Sequence, residues 1–143
     1  MPGYLVDTNV VSELMRDAPA PAVMTWFAQH EHQPVYVCSI TQAEILTGIA
    51  LLPMGKRRDA LADAAQKLFE SDLADQYLTF DASAAHHFAL IRAQRKRAGL
   101  PITTEDAQIA AIALAAELTL VTRNTRDFLG IEGLELDNPW QDR

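Results

Sequence analysis

Short apolar runs alternate along this chain with longer stretches whose apolar residues recur at helical spacing, a pattern that predicts strands alternating with amphipathic helices. Tyr4-Leu5-Val6 is the first run; it stops at the polar Asp7-Thr8-Asn9, and Val10, Val11, Leu14 and Met15 then mark a helix. Residues 17–21 interrupt the pattern, and a second helix is expected over 23–30, entered through prolines that a helix start tolerates. Val35-Tyr36-Val37-Cys38 reads as the next buried strand. It leads into a helix over 39–52 that turns Ile45, Leu46, Ile49 and Leu52 inward and ends at Pro53 and Gly55. A polar, Ala-rich helix over about 57–73 precedes a third strand over 77–80, and a further helix runs from Ala82 to Gly99. The Ala- and Ile-rich segment 103–117 predicts a buried helix, 118–122 a fourth strand and 134–136 a short fifth one.

This order predicts an α/β fold, a three-layer α/β/α sandwich around a mostly parallel sheet of four to five strands, in one domain over 1–143. In such open sheets ligands bind beyond the carboxyl ends of the strands, so the residues that follow each strand are the ones to weigh. Asp7 ends the first strand, Glu44 falls in the first turn of the helix after the second, Asp106 opens the buried helix, and Asn124 and Asp127 follow the fourth strand. Singly, each has a bland explanation. Thr41-x-x-Glu44 has the form of a capping box, Thr103 with Asp106 nearly so, and Asn124 suits a cap before Phe128.

Together they are harder to dismiss. Asp106 shares a helical stripe with Ile109, Ala110 and Ala113, so its carboxylate faces the packed side, where an unpaired charge is costly. Carboxylates gathered at one edge repel, each pair by about 4 kcal/mol at ~4 Å with an effective dielectric near 20. No Lys or Arg in the Asp7, Glu44 or Asp106 segments is an obvious neutraliser. A divalent cation is the economical counter-charge, and an all-oxygen ligand set suits Mg²⁺ or Mn²⁺ rather than zinc.

Composition narrows the setting more than the chemistry. The chain has 143 residues, 49% of them apolar, enough for one substantial core. Its net charge of -7 argues against a broad basic surface that grips nucleic acid, yet leaves nucleic acid open as the substrate of an acid-lined site. Cys38 is the only cysteine, which excludes an internal disulfide and Cys-rich zinc sites and fits a reducing cytoplasm. The N-terminus lacks a leader pattern and no apolar run spans a bilayer, so a soluble cytoplasmic protein without membrane contact is expected.

Four ordered motifs span nearly the whole chain: Leu5-Val6-Asp7-Thr8-Asn9-Val10-Val11-Ser12-Glu13-Leu14; Ser39-Ile40-Thr41 through Glu44-Ile45 to Gly48; Gly99-Leu100-Pro101-Ile102 leading to Asp106-Ala107-Gln108-Ile109-Ala110-Ala111; and Thr122-Arg123-Asn124 with Asp127-Phe128. In these the chain resembles the PIN-domain ribonucleases, in particular VapC-type toxins of type II toxin–antitoxin systems. The terminal Asn138-Pro139-Trp140 is similar to the tail of the FitB-like subgroup. The resemblance implies a Mg²⁺- or Mn²⁺-dependent endoribonuclease, a homodimer neutralised by a small antitoxin that also binds operator DNA. It implies Asp7, Glu44 and Asp106 as the core acids, with Asp127 as the fourth, ligating directly or through water, and Asn124 as a polar contact.

On this reading a cation held by Asp7 and Asp106 activates a water for in-line attack on an RNA phosphate, and a second ion contacted by Glu44 or Asp127 stabilises the leaving oxygen. Thr8, Asn9, Ser39 and Thr122 carry short polar groups that could orient ligands, although turn formation and capping explain them equally well. Arg92 is the candidate RNA contact within Arg92, Arg95, Lys96 and Arg97, cations that a helix C-terminus favours in any case. Lys56-Arg57-Arg58 reads as a solvated face, and neither His30 with His32 nor His86 with His87 has metal-pair spacing. Two rivals remain: a catalytically inactive PIN-like binding module, and an aspartate-based phosphotransfer protein. Asn9 stands where a dehalogenase-like enzyme needs its second Asp, and Leu5-Val6 lacks the paired acids of a receiver domain.

Overall fold

Residues 3–141 are described by a computed structural model. Five strands, β1 (Tyr4–Val6), β2 (Val35–Cys38), β3 (Tyr77–Leu78), β4 (Thr119–Val121) and β5 (Leu136–Asp137), form a sheet in the order β3-β2-β1-β4-β5, with every pairing parallel. β1 sits at the centre, with Tyr4 opposite Val35 on one side and Thr119 on the other. Alternate strand residues point to opposite faces. Leu5, Cys38 and Leu120 accordingly join one core, while Val6, Val37 and Val121 join the other.

Helices α5 (Ala82–Ala98) and α6 (Thr104–Ala115) cover the first face, and α6 buries Ala107 and the run Ile109 to Ala113. Helices α1 (Thr8–Leu14), α2 (Pro21–Gln29), α3 (Ser39–Ala50) and α4 (Lys56–Lys67) serve the second, contributing Val10, Val11, Trp26, Ile45, Ile49 and Ala65. A short α7 (Thr125–Phe128) follows β4. The expected three-layer α/β architecture is therefore present. Among the described residues, no helix is long and apolar enough to cross a membrane.

The departures from expectation are local. No turn separates β1 from α1: the helix starts at Thr8 with Asp7 as its N-cap. The expected helix over 57–73 ends at Lys67 and passes through a wider π turn (Leu68–Asp72) and a 3-10 turn (Ala74–Gln76) before β3. That widening still buries Phe69. β3 stops at Leu78, because Thr79 is exposed and only Phe80 returns to the core. Leu46, expected inside, is 46% exposed. β5 lies at Leu136–Asp137 rather than at 134–136, tied to α2 by Trp26 Nε1, which donates to Asp137 Oδ2 at 3.0 Å. Gly99 ends α5 in the left-handed conformation (φ 68°), as a helix-terminating glycine should.

Arg95 does not behave as a helix-end cation. It is buried on α5, and its guanidinium donates to the backbone carbonyls of Asp127 (3.2 Å) and Leu129 (2.8 Å), pinning the α7 segment to the first face. Replacing it with an apolar residue strands two carbonyls. Arg95→Met is expected to cost about 1–3 kcal/mol, read as a lower urea midpoint with an unchanged slope; an unshifted midpoint would show that water satisfies both carbonyls equally well.

Candidate active site

The carboxyl edge of β1 and β4 is built from the backbone outward. Asp7 N–H donates to the Val121 carbonyl at 2.9 Å, so the last sheet bond of β1 is made by the residue whose side chain enters the cleft. Asp7 Oδ1 accepts from Thr8 N–H (2.8 Å), and Oδ2 accepts from the Thr122 hydroxyl (2.7 Å) and from Asn9 Nδ2 (3.2 Å). Asn9 is a hub: its amide nitrogen also lies 3.2 Å from Thr122 Oγ1, and its Oδ1 accepts from Arg123 N–H at 3.0 Å. Thr122 Oγ1 further accepts from Asn124 N–H at 3.1 Å. Three neutral donors thus orient a buried carboxylate without cancelling its charge. Burial raises the Asp7 carboxyl above its ordinary range, the three donors pull it back, and the charge of Asp127 raises it again.

On β1's other side the polar chain runs through α3. The Thr8 hydroxyl lies 2.7 Å from Glu44 Oε1 and 3.1 Å from the buried Thr41 hydroxyl, which in turn lies 3.7 Å from Cys38 Sγ. A carboxylate only accepts, so Thr8 gives its single proton to Glu44, and Thr41 donates to Thr8. The expected capping box at Thr41 and Glu44 is not what forms. α3 begins at Ser39 with Cys38 as N-cap, which puts Thr41 inside the helix and Glu44 in its second turn, where it is exposed toward the cleft. The Thr103 cap does form: its side chain accepts from Asp106 N–H at 3.1 Å, seating Asp106 in the first turn of α6.

Asp106 senses all the others. Burial, foremost, and then the charges of Asp7, Asp127 and Glu44 push its carboxyl up to about 6, against a lowering bond with Thr103. No cation contributes to the shift of either Asp7 or Asp106. Among the described residues, the ion pairs are Glu13 with Arg16 and Glu31 with His32, both outside this cluster. Nor, among the described residues, are three His, Cys, Asp or Glu side chains closed around one point. Asp7, Asp127 and Glu44 thus act on Asp106 across a shared space, with no ion-paired counter-charge among the described residues. The donor set is all oxygen, which suits a hard divalent cation, and Asp7, Asp106, Glu44 and Asp127 are the residues that could hold it.

The remaining sequence candidates divide. Thr8, Asn9 and Thr122 are in the network, and Asn124 enters it through its backbone while its exposed side chain leaves α7 uncapped. Ser39 does not enter this network; its influence is on the Tyr77 phenol, which donates to Gln42 Oε1. Arg92 donates to the Ile102 carbonyl at 2.8 Å and lies 6.0 Å from the Phe88 ring centroid, so it braces the loop before α6 while remaining exposed. His30 stacks on Trp26 at 4.0 Å, and His86 and His87 face each other on α5. Sequence reasoning missed Thr41, whose small polar side chain one turn ahead of Ile45 is the signal, and Arg123. The latter's guanidinium lies 5.0 Å from the Trp140 ring centroid, while its carbonyl accepts from Asn138 Nδ2 at 3.4 Å, so the chain's tail braces the loop after β4.

A family model described as a PIN domain matches residues 4–133. The plasmid stability protein StbB of Pseudomonas syringae pathovar tomato is 41% identical over 137 residues, 96% of this chain and 98% of that protein. The VapC ribonuclease Y4jK of Sinorhizobium fredii is 36% identical over 137 residues, 96% of this chain and 97% of that protein. A chain in the solved structure of FitAB bound to an IR36 DNA fragment superposes with a TM-score of 0.86 at 34% identity, covering 98% of this chain and 97% of that one.

The strain on Asp106 has a measurable sign. Its folded value of about 6 lies above the ordinary 3.8, so the fold holds its proton more tightly than the unfolded chain does. Its contribution to stability therefore falls as pH rises from about 4 to about 6 and stays lost above that. In thermal melts of metal-free protein, Asp106→Asn is expected to flatten this decline and raise Tm near neutral pH. The same variant should lose the stabilisation that Mg²⁺ or Mn²⁺ gives the parent. A parent protein whose Tm ignores both pH and divalent cation would contradict the crowding.

Proposed function

The chain belongs to the PIN-domain family, and from that premise we propose that it is the ribonuclease toxin of a toxin–antitoxin pair, hydrolysing RNA phosphodiester bonds with the help of Mg²⁺ or Mn²⁺. The observation that carries this reading is Asp106, lifted to about 6 in a cluster with Asp7, Glu44 and Asp127 that contains no cation. Burial is the largest part of that shift, and a half-buried carboxylate that also faces other carboxylates is costly unless a cation joins it. Family membership sets aside the phosphotransfer reading, and an intact acid cluster gives no support to a module that only binds.

When bound, a divalent cation lowers the pKa of its water and neutralises charge that develops on the phosphate. The chain's own residues prepare for it. Asp7 is turned by Thr122 and Asn9 so that, of its four lone-pair positions, the three bonded ones leave one on Oδ1 open. Asp106 is presented from the first turn of α6 by the Thr103 cap, and Glu44 is held by Thr8. Asp127, exposed on α7 and with its carbonyl fixed by Arg95, completes the set. Asn124 offers a polar side chain beside it.

The partners follow from the relatives. The similar FitAB structure carries DNA, and we extend to this chain an antitoxin that neutralises it and brings the complex to operator DNA. A homodimer fits the exposure of Leu51 (81%) and Met54 (89%) at the corner after α3. We place the activity in the cytoplasm, where RNA is at hand and the free thiol of Cys38 stays reduced.

Purified, folded Asp7→Asn and Asp106→Asn are expected to lose divalent-dependent cleavage of total RNA, and EDTA should stop the parent. Thr122→Val removes a donor to Asp7 at constant volume and should lower the rate about 10- to 100-fold. Growth arrest on expression without an antitoxin should track these rates. Unchanged cleavage by Asp7→Asn would end the proposal.

A further inference from the structure

Beside the acids lies the start of a groove of about 900 Å³ between α1, α3 and α4. Thr8 and Glu44 line the end at the acid cluster, Ile45, Ile49 and Leu61 give it an apolar wall, and Arg16, Lys56 and Arg57 line it farther along. Asp17 is the other acid on its wall. Arg16 is already paired with Glu13, at 3.2 Å. Lys56 and Arg57 differ: among the described residues, no carboxylate pairs with either.

Their position is unexplained by the fold. They open α4, at the positive end of a twelve-residue helix whose N-cap, Gly55, supplies no side-chain bond, with only Asp59 as an acid in that turn. Cations at a helix start oppose the macrodipole, whereas those ending α5 agree with it. Stability therefore disfavours Lys56 and Arg57 where they stand, and an anion in the groove would reverse the sign.

We infer that this groove holds the single-stranded RNA flanking the scissile phosphate, with Lys56 and Arg57 each gripping a backbone phosphate remote from the acids. The inference rests on the ribonuclease reading and extends it to how the substrate lies. α3 alone carries the groove about 9 Å from Glu44 to Ala50, at ~1.5 Å per residue, before Lys56 is reached. A stacked strand advancing ~3.4 Å per nucleotide bridges that distance with about three nucleotides or more. The aliphatic wall of Ile45, Ile49 and Leu61 between the two charged ends offers apolar contact to base faces whatever the sequence. An otherwise acidic chain, with a net charge of -7, thus places cations where a polyanion leaving the acid site must pass.

The test is binding of a fluorescent 20-nucleotide single-stranded RNA of random sequence to the full chain in EDTA, by anisotropy across a salt series. A double-stranded RNA of the same length serves as the second arm. The double variant Lys56→Ala with Arg57→Ala is expected to weaken single-strand binding about tenfold and to flatten the salt slope by about 1.4, at ~0.7 for each phosphate charge no longer neutralised. Its Tm should equal or exceed the parent's, because two dipole-opposed charges are gone. Arg97→Ala, on the far helix α5, should change neither affinity nor slope. Equal affinity and slope for the double variant and the parent overturn the inference. So does a stronger effect on duplex than on single strand. Cleavage of total RNA by the parent with Mg²⁺ is scored separately: failure there strikes the ribonuclease reading, and failure of the binding difference strikes the groove alone.

Discussion

The burial of two carboxylates, Asp7 and Asp106, at a sheet edge that Glu44 and Asp127 also reach is the constraint around which the rest of the molecule is arranged. The protein answers it without a cation. Hydroxyls, an amide and backbone N–H groups orient Asp7 and Glu44, and each donor is itself held by another neutral group: Thr122 by Asn9, Thr8 by Thr41. Neutral donors fix direction while preserving charge, which fits the proposed role of these carboxylates as ligands of a divalent ion. An arginine in the same place would have stabilised the fold and filled the cleft.

The same logic separates the two kinds of cation on the molecule. Arg95 and Arg92 direct their hydrogen bonds to backbone carbonyls and brace the segments that deliver Asp127 and Asp106. Arg123 is braced by Trp140. Lys56 and Arg57 brace nothing in the described fold. Sorting charges by whether they satisfy the protein's own groups distinguishes scaffold from surface open to substrate more sharply than net charge does.

Much of this was legible in the sequence, for physical reasons. The parallel sheet followed from apolar runs alternating with helical periodicity, and the acids stood out because Asp7 and Asp127 follow strands, where such sheets bind ligands, and Glu44 and Asp106 lie near helix starts. Asp106 could be placed on a packed stripe because α6 is almost wholly apolar around it. What escaped depended on tertiary contact. Nothing local distinguishes Arg95 from its neighbours Lys96 and Arg97; only the return of residues 127–129 beneath α5 buries it. Thr41 and Glu44 satisfied a capping pattern that the backbone did not use, since the helix had already begun at Ser39. The π turn at Leu68–Asp72 gives up regular helix for the burial of Phe69, a choice that propensity does not register.

The central place of β1 has a consequence for how the polypeptide is made. Its second edge is closed by β4, whose residues 119–121 are synthesised more than a hundred positions later, and Asp7 acquires the Val121 and Thr122 bonds only then. A chain still emerging from the ribosome therefore carries its first acid unaimed until residues 121 and 122 have been translated and can reach it.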